Sequence, residues 1–203
     1  RQAPRYAQPG LPGETLSLQL ELKLLADVGI IGYPNAGKST LISRISAARP
    51  KIADYPFTTL TPTLGVVTPK SGESFVVADI PGLIEGAHKG AGLGDKFLRH
   101  VERTHILLHL IDAYEIDPDS PFRGYYAINQ ELAGYPGKLS DKPQLVVLNK
   151  TDLPEARKRA ERFMAGFSEH PVMALSAYTG ENVAALIEKL NELINVHGSA
   201  AEA

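Results

Sequence analysis

The strongest restriction on the fold comes from residues 32–39, which read Gly32-Tyr33-Pro34-Asn35-Ala36-Gly37-Lys38-Ser39. An apolar run over 24–31 precedes this stretch, and a helical pattern over 40–45 follows it. The spacing G-x-x-x-x-G-K-S between a buried strand and a helix is typical of a phosphate loop. Its glycines allow backbone N–H groups and the helix N-terminus to point at anionic oxygens. The sequence therefore predicts a nucleoside triphosphate site here.

Individual roles follow for the residues of this loop. Lys38 is expected to reach the β and γ phosphates, and the Ser39 hydroxyl is expected to ligate Mg²⁺. The predicted nucleotide contacts are the loop and the start of its helix, namely Gly32, Pro34, Asn35, Ala36, Gly37, Lys38, Ser39 and Thr40.

Strand and helix patterns alternate along the rest of the chain. Strands are expected at 64–68, 74–78, 106–111, 145–148 and 172–175, and leucines at alternate positions extend the first strand back to Thr15. The alternation predicts a three-layer α/β phosphate-loop NTPase, with a mostly parallel six-stranded sheet, one antiparallel strand and helices on both faces. We expect this domain at 15–197, a linker or remnant of a missing amino-terminal domain at 1–14, and a flexible tail at 198–203.

Composition narrows the classes of partner. The chain has 43% hydrophobic and 22% charged residues, a formal net charge of −2 and no cysteine. Disulfides and thiolate chemistry are excluded, and no apolar run approaches the roughly 20 residues of a membrane span. The basic run over 157–162 is interrupted by Glu161, which favours a solvated helix face. We therefore expect a cytoplasmic monomer that binds no DNA and has no integral membrane association.

Two further motifs extend the phosphate site. Asp79 and Gly82 have the D-x-x-G spacing, in which the aspartate holds Mg²⁺ through water and the glycine N–H binds the γ phosphate. Thr58 lies in a polar loop after the first helix and is the candidate second hydroxyl ligand of Mg²⁺, with Thr59 as the alternative. The predicted metal ligands are therefore Ser39, Thr58 and Asp79.

A fourth motif, Asn149-Lys150-Thr151-Asp152, follows a buried strand and is expected to select the base. The Asp152 carboxylate can accept the N1–H and the exocyclic amine of guanine, whereas adenine presents no matching pair of donors. A backbone N–H of the Ser176-Ala177 stretch can bind the guanine carbonyl oxygen. The expected base contacts are Asn149, Lys150, Asp152, Ser176, Ala177 and Tyr178; the alternative is that the motif is a simple turn.

Together these residues resemble the Obg family of GTPases. The likeness is carried by the phosphate loop, by Tyr55-Pro56-Phe57-Thr58-Thr59-Leu60 and by Asp79-Ile80-Pro81-Gly82-Leu83-Ile84-Glu85-Gly86-Ala87, and it spans roughly residues 15–195. The resemblance implies a Mg²⁺-dependent GTPase that acts in ribosome assembly, with the large ribosomal subunit or its RNA as partner. A related branch that prefers ATP carries a different base-selecting motif, and Asp152 argues against it.

The motifs account less completely for GTP hydrolysis than for nucleotide binding. Many GTPases carry a glutamine after D-x-x-G to orient water, but here that position is Leu83, so slow intrinsic hydrolysis is expected. By resemblance, Asn35 is proposed to help bind K⁺ in the role of an arginine finger; alternatively it only stabilises the loop. The predicted catalytic residues are Lys38, Asn35, Thr58 and Gly82, and His88 is a further candidate near the γ phosphate.

Two other functions remain compatible with the same motifs. One is a nucleotide-gated binding module in which hydrolysis only resets the bound state. The other is a sensor of guanine nucleotides that responds to GDP, GTP or guanosine tetraphosphate.

Overall fold

The computed structural model describes residues 26–47, 51–52, 63–80, 104–134 and 139–198, and the isolated positions 10, 13 and 16. The strands are β1 (Val28–Ile31), β2 (Lys51–Ile52), β3 (Thr63–Val67), β4 (Phe75–Asp79), β5 (Ile106–Asp112), β6 (Gln144–Asn149) and β7 (Val172–Ala174). The α-helices are α1 (Lys38–Ile45), α2 (Arg123–Ala133), α3 (Pro154–Gly166) and α4 (Val183–Gly198), and Leu139–Asp141 form a short 3-10 helix.

One sheet of seven strands has the order β2-β3-β4-β1-β5-β6-β7. β1 runs parallel to both β4 and β5, and β5, β6 and β7 are parallel to one another. β3 is antiparallel to its neighbours β2 and β4. The predicted mostly parallel sheet with one antiparallel strand is confirmed. The structure adds the edge strand β2, whose two residues are too few to show an alternating pattern in the sequence.

Helices cover both faces of the sheet, as predicted. On one face α1 and α4 pack on the sheet, where Ile42, Leu186 and Leu108 belong to one buried apolar cluster. On the other face Ile128 of α2 packs with Leu107, and α3 packs on β6. None of the helices in the described part of the chain combines the length and apolarity that crossing a bilayer requires.

The first strand is shorter than the sequence predicts. β1 begins at Val28, and Ala26 and Asp27 are not in strand conformation. The Asp27 carboxylate accepts the N–H of Val76 at 2.7 Å, and the Asp27 carbonyl accepts the N–H of His105 at 2.8 Å. Because a side-chain oxygen takes the β4 amide, regular pairing starts one residue later. Most of residues 1–25 lie outside the described part of the chain.

His109 is a polar residue inside the sheet. It lies on β5, is 1% exposed and stacks on Tyr125 of α2 with ring centroids 5.3 Å apart. Complete burial lowers its pKa from 6.5 to about 3. Burial disfavours the charged imidazolium, so His109 is neutral in the folded protein at neutral pH.

We expect this histidine to make the fold acid-sensitive. Between pH 6.5 and pH 3 the unfolded chain binds the proton and the folded chain does not, so stability falls as the pH falls. From pH 7 to pH 5 the His109 contribution to the free energy of unfolding should drop by about 2 kcal/mol. Urea unfolding at both pH values should show a smaller drop for His109→Gln. The same substitution at His197, near the end of α4, is the control, and an unchanged drop in His109→Gln would contradict the assignment.

Candidate nucleotide site

The site lies where parallel strands end at one edge of the sheet. The phosphate loop follows β1, Asp79 ends β4, Asn149 ends β6, and Ser176 lies two residues after β7. Ligands in open parallel sheets bind at this carboxyl edge. The structure therefore brings the predicted phosphate and base motifs to the same side of the molecule.

Two glycines of the phosphate loop cannot be replaced by a residue with a side chain. Gly32 has φ +148°, and a Cβ there would lie 2.2 Å from the Leu110 carbonyl oxygen. Gly37 has φ +97°, and a Cβ there would lie 2.4 Å from Nδ2 of Asn149. Any larger residue would collide with β5 or with the base motif. The close approach of the loop to both neighbours explains the glycine spacing.

The side chain of Lys38 is hydrogen-bonded to the backbone of the phosphate loop. Its Nζ donates to the carbonyl oxygens of Gly32 at 3.0 Å and Tyr33 at 3.1 Å. Burial lowers the pKa of Lys38, and the charge of Asp79 opposes that shift. A partly desolvated ammonium tethered to loop carbonyls is well placed to exchange them for phosphate oxygens.

Asp79 has the character of a metal-site carboxylate. Burial raises its pKa, while the charge of Lys38 and a hydrogen bond from Ser39 oppose that shift. Its Oδ1 is buried and has no hydrogen-bond partner within the described residues. A buried, unsatisfied carboxylate oxygen beside a hydroxyl suits hydrated Mg²⁺, which takes oxygen ligands and keeps several waters. Ser39 and Asp79 therefore fit the predicted metal site.

Several residues discussed for the phosphate end of the site lie in parts of the chain that the structure does not describe. Thr58, Thr59, Gly82, Leu83 and His88 lie outside the described residues, so their roles stay predictions. Asn35 is described: it is exposed and has φ 63°, in the left-handed region that asparagine tolerates.

Asn149 joins the phosphate and base ends of the site. The residue is 2% exposed, and its Nδ2 donates to the Ala36 carbonyl at 2.8 Å. Its Oδ1 accepts the Ala177 N–H at 2.9 Å. One buried amide thus fixes the phosphate loop relative to the segment after β7.

Asp152 is oriented by Ser176. The Ser176 hydroxyl donates to Oδ1 of Asp152 at 2.6 Å and accepts the Thr179 N–H at 3.1 Å. Oδ2 of Asp152 has no hydrogen bond within the described part of the chain, so it is available to a ligand. The sequence placed both residues at the base site, and the structure shows that they contact each other.

Of the backbone amides of residues 176–178, only that of Tyr178 is available to a ligand within the described part of the chain. The Ala177 N–H is taken by Asn149, and the Ser176 N–H donates to the Glu181 carbonyl at 3.2 Å. The Tyr178 N–H has no acceptor among the described residues, and the tyrosine is 79% exposed. The sequence analysis offered the amides of Ser176 and Ala177 for this contact, and the structure shows that both are already hydrogen-bonded. The bond to Asn149, 28 residues earlier in the chain, depends on tertiary packing and could not be predicted from the sequence pattern.

Lys150 has a partner that the sequence analysis missed. It has φ +69°, and its Nζ lies 2.5 Å from Oδ2 of Asp112 at the end of β5. The other oxygen of Asp112 accepts the Tyr114 N–H at 2.9 Å. Both charged residues line a cavity of about 700 Å³ that also borders Asn35. The sequence signal that could have pointed to Asp112 is a carboxylate at the end of the apolar strand β5, next to the strand β6 that precedes the base motif.

Comparison with known proteins agrees with this geometry. Residues 27–150 match the family described as 50S ribosome-binding GTPase. The chain belongs to this family. It is 61% identical over 195 residues to GTPase Obg of Desulforapulum autotrophicum, covering 96% of this chain and 56% of the relative. For GTPase Obg of Desulforudis audaxviator the identity is 59% over 195 residues, covering 96% and 46%. The predicted resemblance to Obg is confirmed, and this GTPase-family chain spans about half the length of these relatives.

Solved structures support the fold of the family member. The G domain of the T. maritima FeoB iron transporter aligns with a TM-score of 0.60 at 24% identity, covering 82% of this chain and 96% of that one. The cytosolic domain of L. pneumophila FeoB aligns with a TM-score of 0.62 at 21% identity, covering 82% and 63%. At these identities the likeness shows a shared fold.

Proposed function

We propose that this chain binds GTP with Mg²⁺ and hydrolyses it slowly to GDP and phosphate, as a molecular switch. The observation that carries the proposal is the double hydrogen bond of Asn149, to Ala36 in the phosphate loop and to Ala177 beside the base motif. Because one buried side chain joins both ends, the phosphate and guanine contacts form a single preformed site.

Guanine is the base that fits the polar groups at the β6 and β7 ends. The Asp152 carboxylate accepts the N1–H and the exocyclic amine, and the Tyr178 N–H donates to the carbonyl oxygen of the base. Adenine would leave the carboxylate without its two donors and would put an amine opposite the Tyr178 N–H. Mismatched polar groups of this kind discriminate strongly between ligands.

Phosphate charge is neutralised at the other end of the site. Lys38 and the loop amides bind the β and γ phosphates, while Ser39 and Asp79 would hold Mg²⁺, directly and through water. The bound ion supplies positive charge against the phosphate oxygens during in-line attack by water. Thr58 and Gly82 are proposed to complete the γ-phosphate contacts.

Hydrolysis of GTP and ATP by the purified 203-residue chain tests this function. We expect turnover of GTP that disappears when EDTA removes Mg²⁺, with ATP at least about 100-fold slower in kcat/KM. Equal rates with GTP and ATP, or full activity in EDTA, would contradict it.

A monovalent cation is proposed to assist hydrolysis, because Leu83 cannot orient water. Asn35 supports this proposal, since it is exposed on the open phosphate loop. GTP turnover in K⁺ should exceed that in Na⁺ at equal ionic strength by about tenfold or more, as expected for added charge at the transition state. In Asn35→Ala, most of the difference in turnover between K⁺ and Na⁺ should disappear. The GTP affinity of this variant is measured in both salts, so that a loss of binding is distinguished from a loss of catalysis. Equal turnover in K⁺ and Na⁺ would remove the idea.

A ribosomal partner is proposed from the family to which the chain belongs. The large ribosomal subunit or its RNA is the expected partner in a cytoplasmic assembly step, and the nucleotide state would control docking. Single-turnover hydrolysis with and without large subunits separates the switch from a plain hydrolase. Acceleration by the subunits supports the switch, whereas fast hydrolysis by the isolated chain contradicts it.

A further inference from the structure

We infer that Arg44 and Arg157 are positioning residues of the guanine site, holding its two loops from opposite sides. These base loops comprise residues 150–153, after β6, and residues 176–181, after β7. The inference rests on the proposed function, because it concerns how the same site reads guanine. Neither arginine belongs to the motifs that predict the site.

Arg44 acts on the second base loop from helix α1. Its Nε donates to the Ala177 carbonyl at 3.2 Å, and a terminal N–H of the guanidinium donates to the Tyr178 carbonyl. The Ala177 carbonyl and the Tyr178 N–H belong to one peptide unit, which is planar and trans. Fixing the carbonyl therefore fixes the direction of the amide that is available to the base.

The same helix carries the phosphate contacts at its other end. α1 begins at Lys38, so the residues that bind phosphate and the arginine that orients the base amide lie on one rigid element. Gly180 has φ +91°, and a Cβ there would lie 3.7 Å from Cζ of Arg44, which shows how closely the loop passes the guanidinium.

Arg157 acts on the first base loop from helix α3. Its Nε donates to the Thr151 carbonyl at 3.0 Å, and that carbonyl shares a peptide unit with the Asp152 N–H. Its Nη2 donates to the Glu181 carboxylate at 2.6 Å. The Glu181 carbonyl in turn accepts the Ser176 N–H. Arg157 thus ties the backbone of Asp152 to the loop that supplies Ser176.

These contacts position the loops more than they stabilise the fold. The side chains of Arg157 and Glu181 are 50% and 41% exposed, and an exposed ion pair contributes little to stability. The loops are also anchored by the buried strand β6 and by Asn149. Loss of either arginine should therefore let a loop move without unfolding the domain.

The test compares Arg44→Ala, Arg157→Ala, the double variant and the matched control Arg162→Ala in the 203-residue chain. Arg162 is exposed on α3 and makes no hydrogen bond or ion pair within the described residues. GDP affinity should fall about 3- to 10-fold in each single variant and about 10- to 100-fold in the double variant, as expected for one or two lost hydrogen bonds. The control should stay within about twofold, and all four thermal midpoints should remain close to that of the parent chain.

Inosine diphosphate distinguishes the positioning of base contacts from a general loss of structure, because it keeps the base carbonyl and lacks the exocyclic amine. Arg44→Ala should weaken GDP and inosine diphosphate equally, since the carbonyl contact is common to both. Arg157→Ala should weaken the binding of GDP more than that of inosine diphosphate, because only GDP has the exocyclic amine that Asp152 contacts. Arg44→Lys, which keeps a donor, should recover part of the affinity.

The inference is overturned if GDP binds the double variant as tightly as Arg162→Ala, while the parent chain still prefers GDP to ADP. It is also overturned if both single variants lose GDP and inosine diphosphate in the same ratio. A parent chain without preference for GDP over ADP overturns the proposed function itself, and the inference with it.

Discussion

Replacing Asp152 by asparagine is expected to lower the affinity for GDP by about 100-fold or more. The carboxylate is proposed to accept two donors from guanine, and an amide in its place can accept only through its oxygen while its NH₂ opposes the exocyclic amine. Xanthine carries a carbonyl where guanine carries that amine, so the variant should bind xanthosine diphosphate more tightly than the parent chain does. Competition against a fluorescent GDP derivative measures both affinities.

The control for this change is Asp119→Asn. Asp119 is an exposed carboxylate in the loop after β5, and its side chain makes no hydrogen bond or ion pair within the described residues. Removing its charge should leave GDP affinity within about twofold, since isolated surface charges contribute little. If Asp152→Asn keeps the GDP affinity of this control, Asp152 does not read the base.

Replacing Lys38 by methionine is expected to reduce single-turnover hydrolysis by about 100- to 1,000-fold. Methionine keeps the unbranched stem but removes the ammonium that Gly32 and Tyr33 carbonyls now hold at the mouth of the loop. The phosphate charge that develops in the transition state then has no lysine partner. A quenched-flow or filter assay at saturating GTP measures the rate.

Stability separates this effect from a folding defect. Burial lowers the pKa of Lys38, which means that the folded protein disfavours its charge. The free Lys38→Met protein should therefore melt at or above the temperature of the parent chain. Lys158→Met, on an exposed lysine that pairs with Glu155, is the matched control and should hydrolyse GTP normally. A Lys38→Met chain with parental single-turnover hydrolysis would contradict the role.

Much of the fold was predictable because local patterns carry it. The strand before the phosphate loop, the loop itself and α1 follow from one contiguous stretch, and α3 begins at Pro154 as its sequence indicates. The edge strand β2 and the late start of β1 were not predictable. Both depend on pairing with distant residues, as Asp27 shows by bonding Val76.

The candidate site divides in the same way. Lys38 and Asp152 belong to motifs with a known spacing, so their positions were predicted. Arg44, 133 residues before the Ala177 carbonyl that it contacts, belongs to no motif. The charge pattern around Arg157 predicts a solvated helix face, whereas the structure connects this residue to the backbone of the base motif. Such contacts are set by tertiary packing and leave no periodic signal in a single sequence.

Whether one preformed site joins guanine recognition to phosphate binding can be measured by calorimetric titration of the same preparation with GDP and with ADP, both in excess Mg²⁺. The two ligands share their phosphates and ribose, so any difference in affinity comes from the base. We expect GDP to bind at least about 100-fold more tightly than ADP. Dissociation constants for GDP and ADP that agree within about threefold would contradict it.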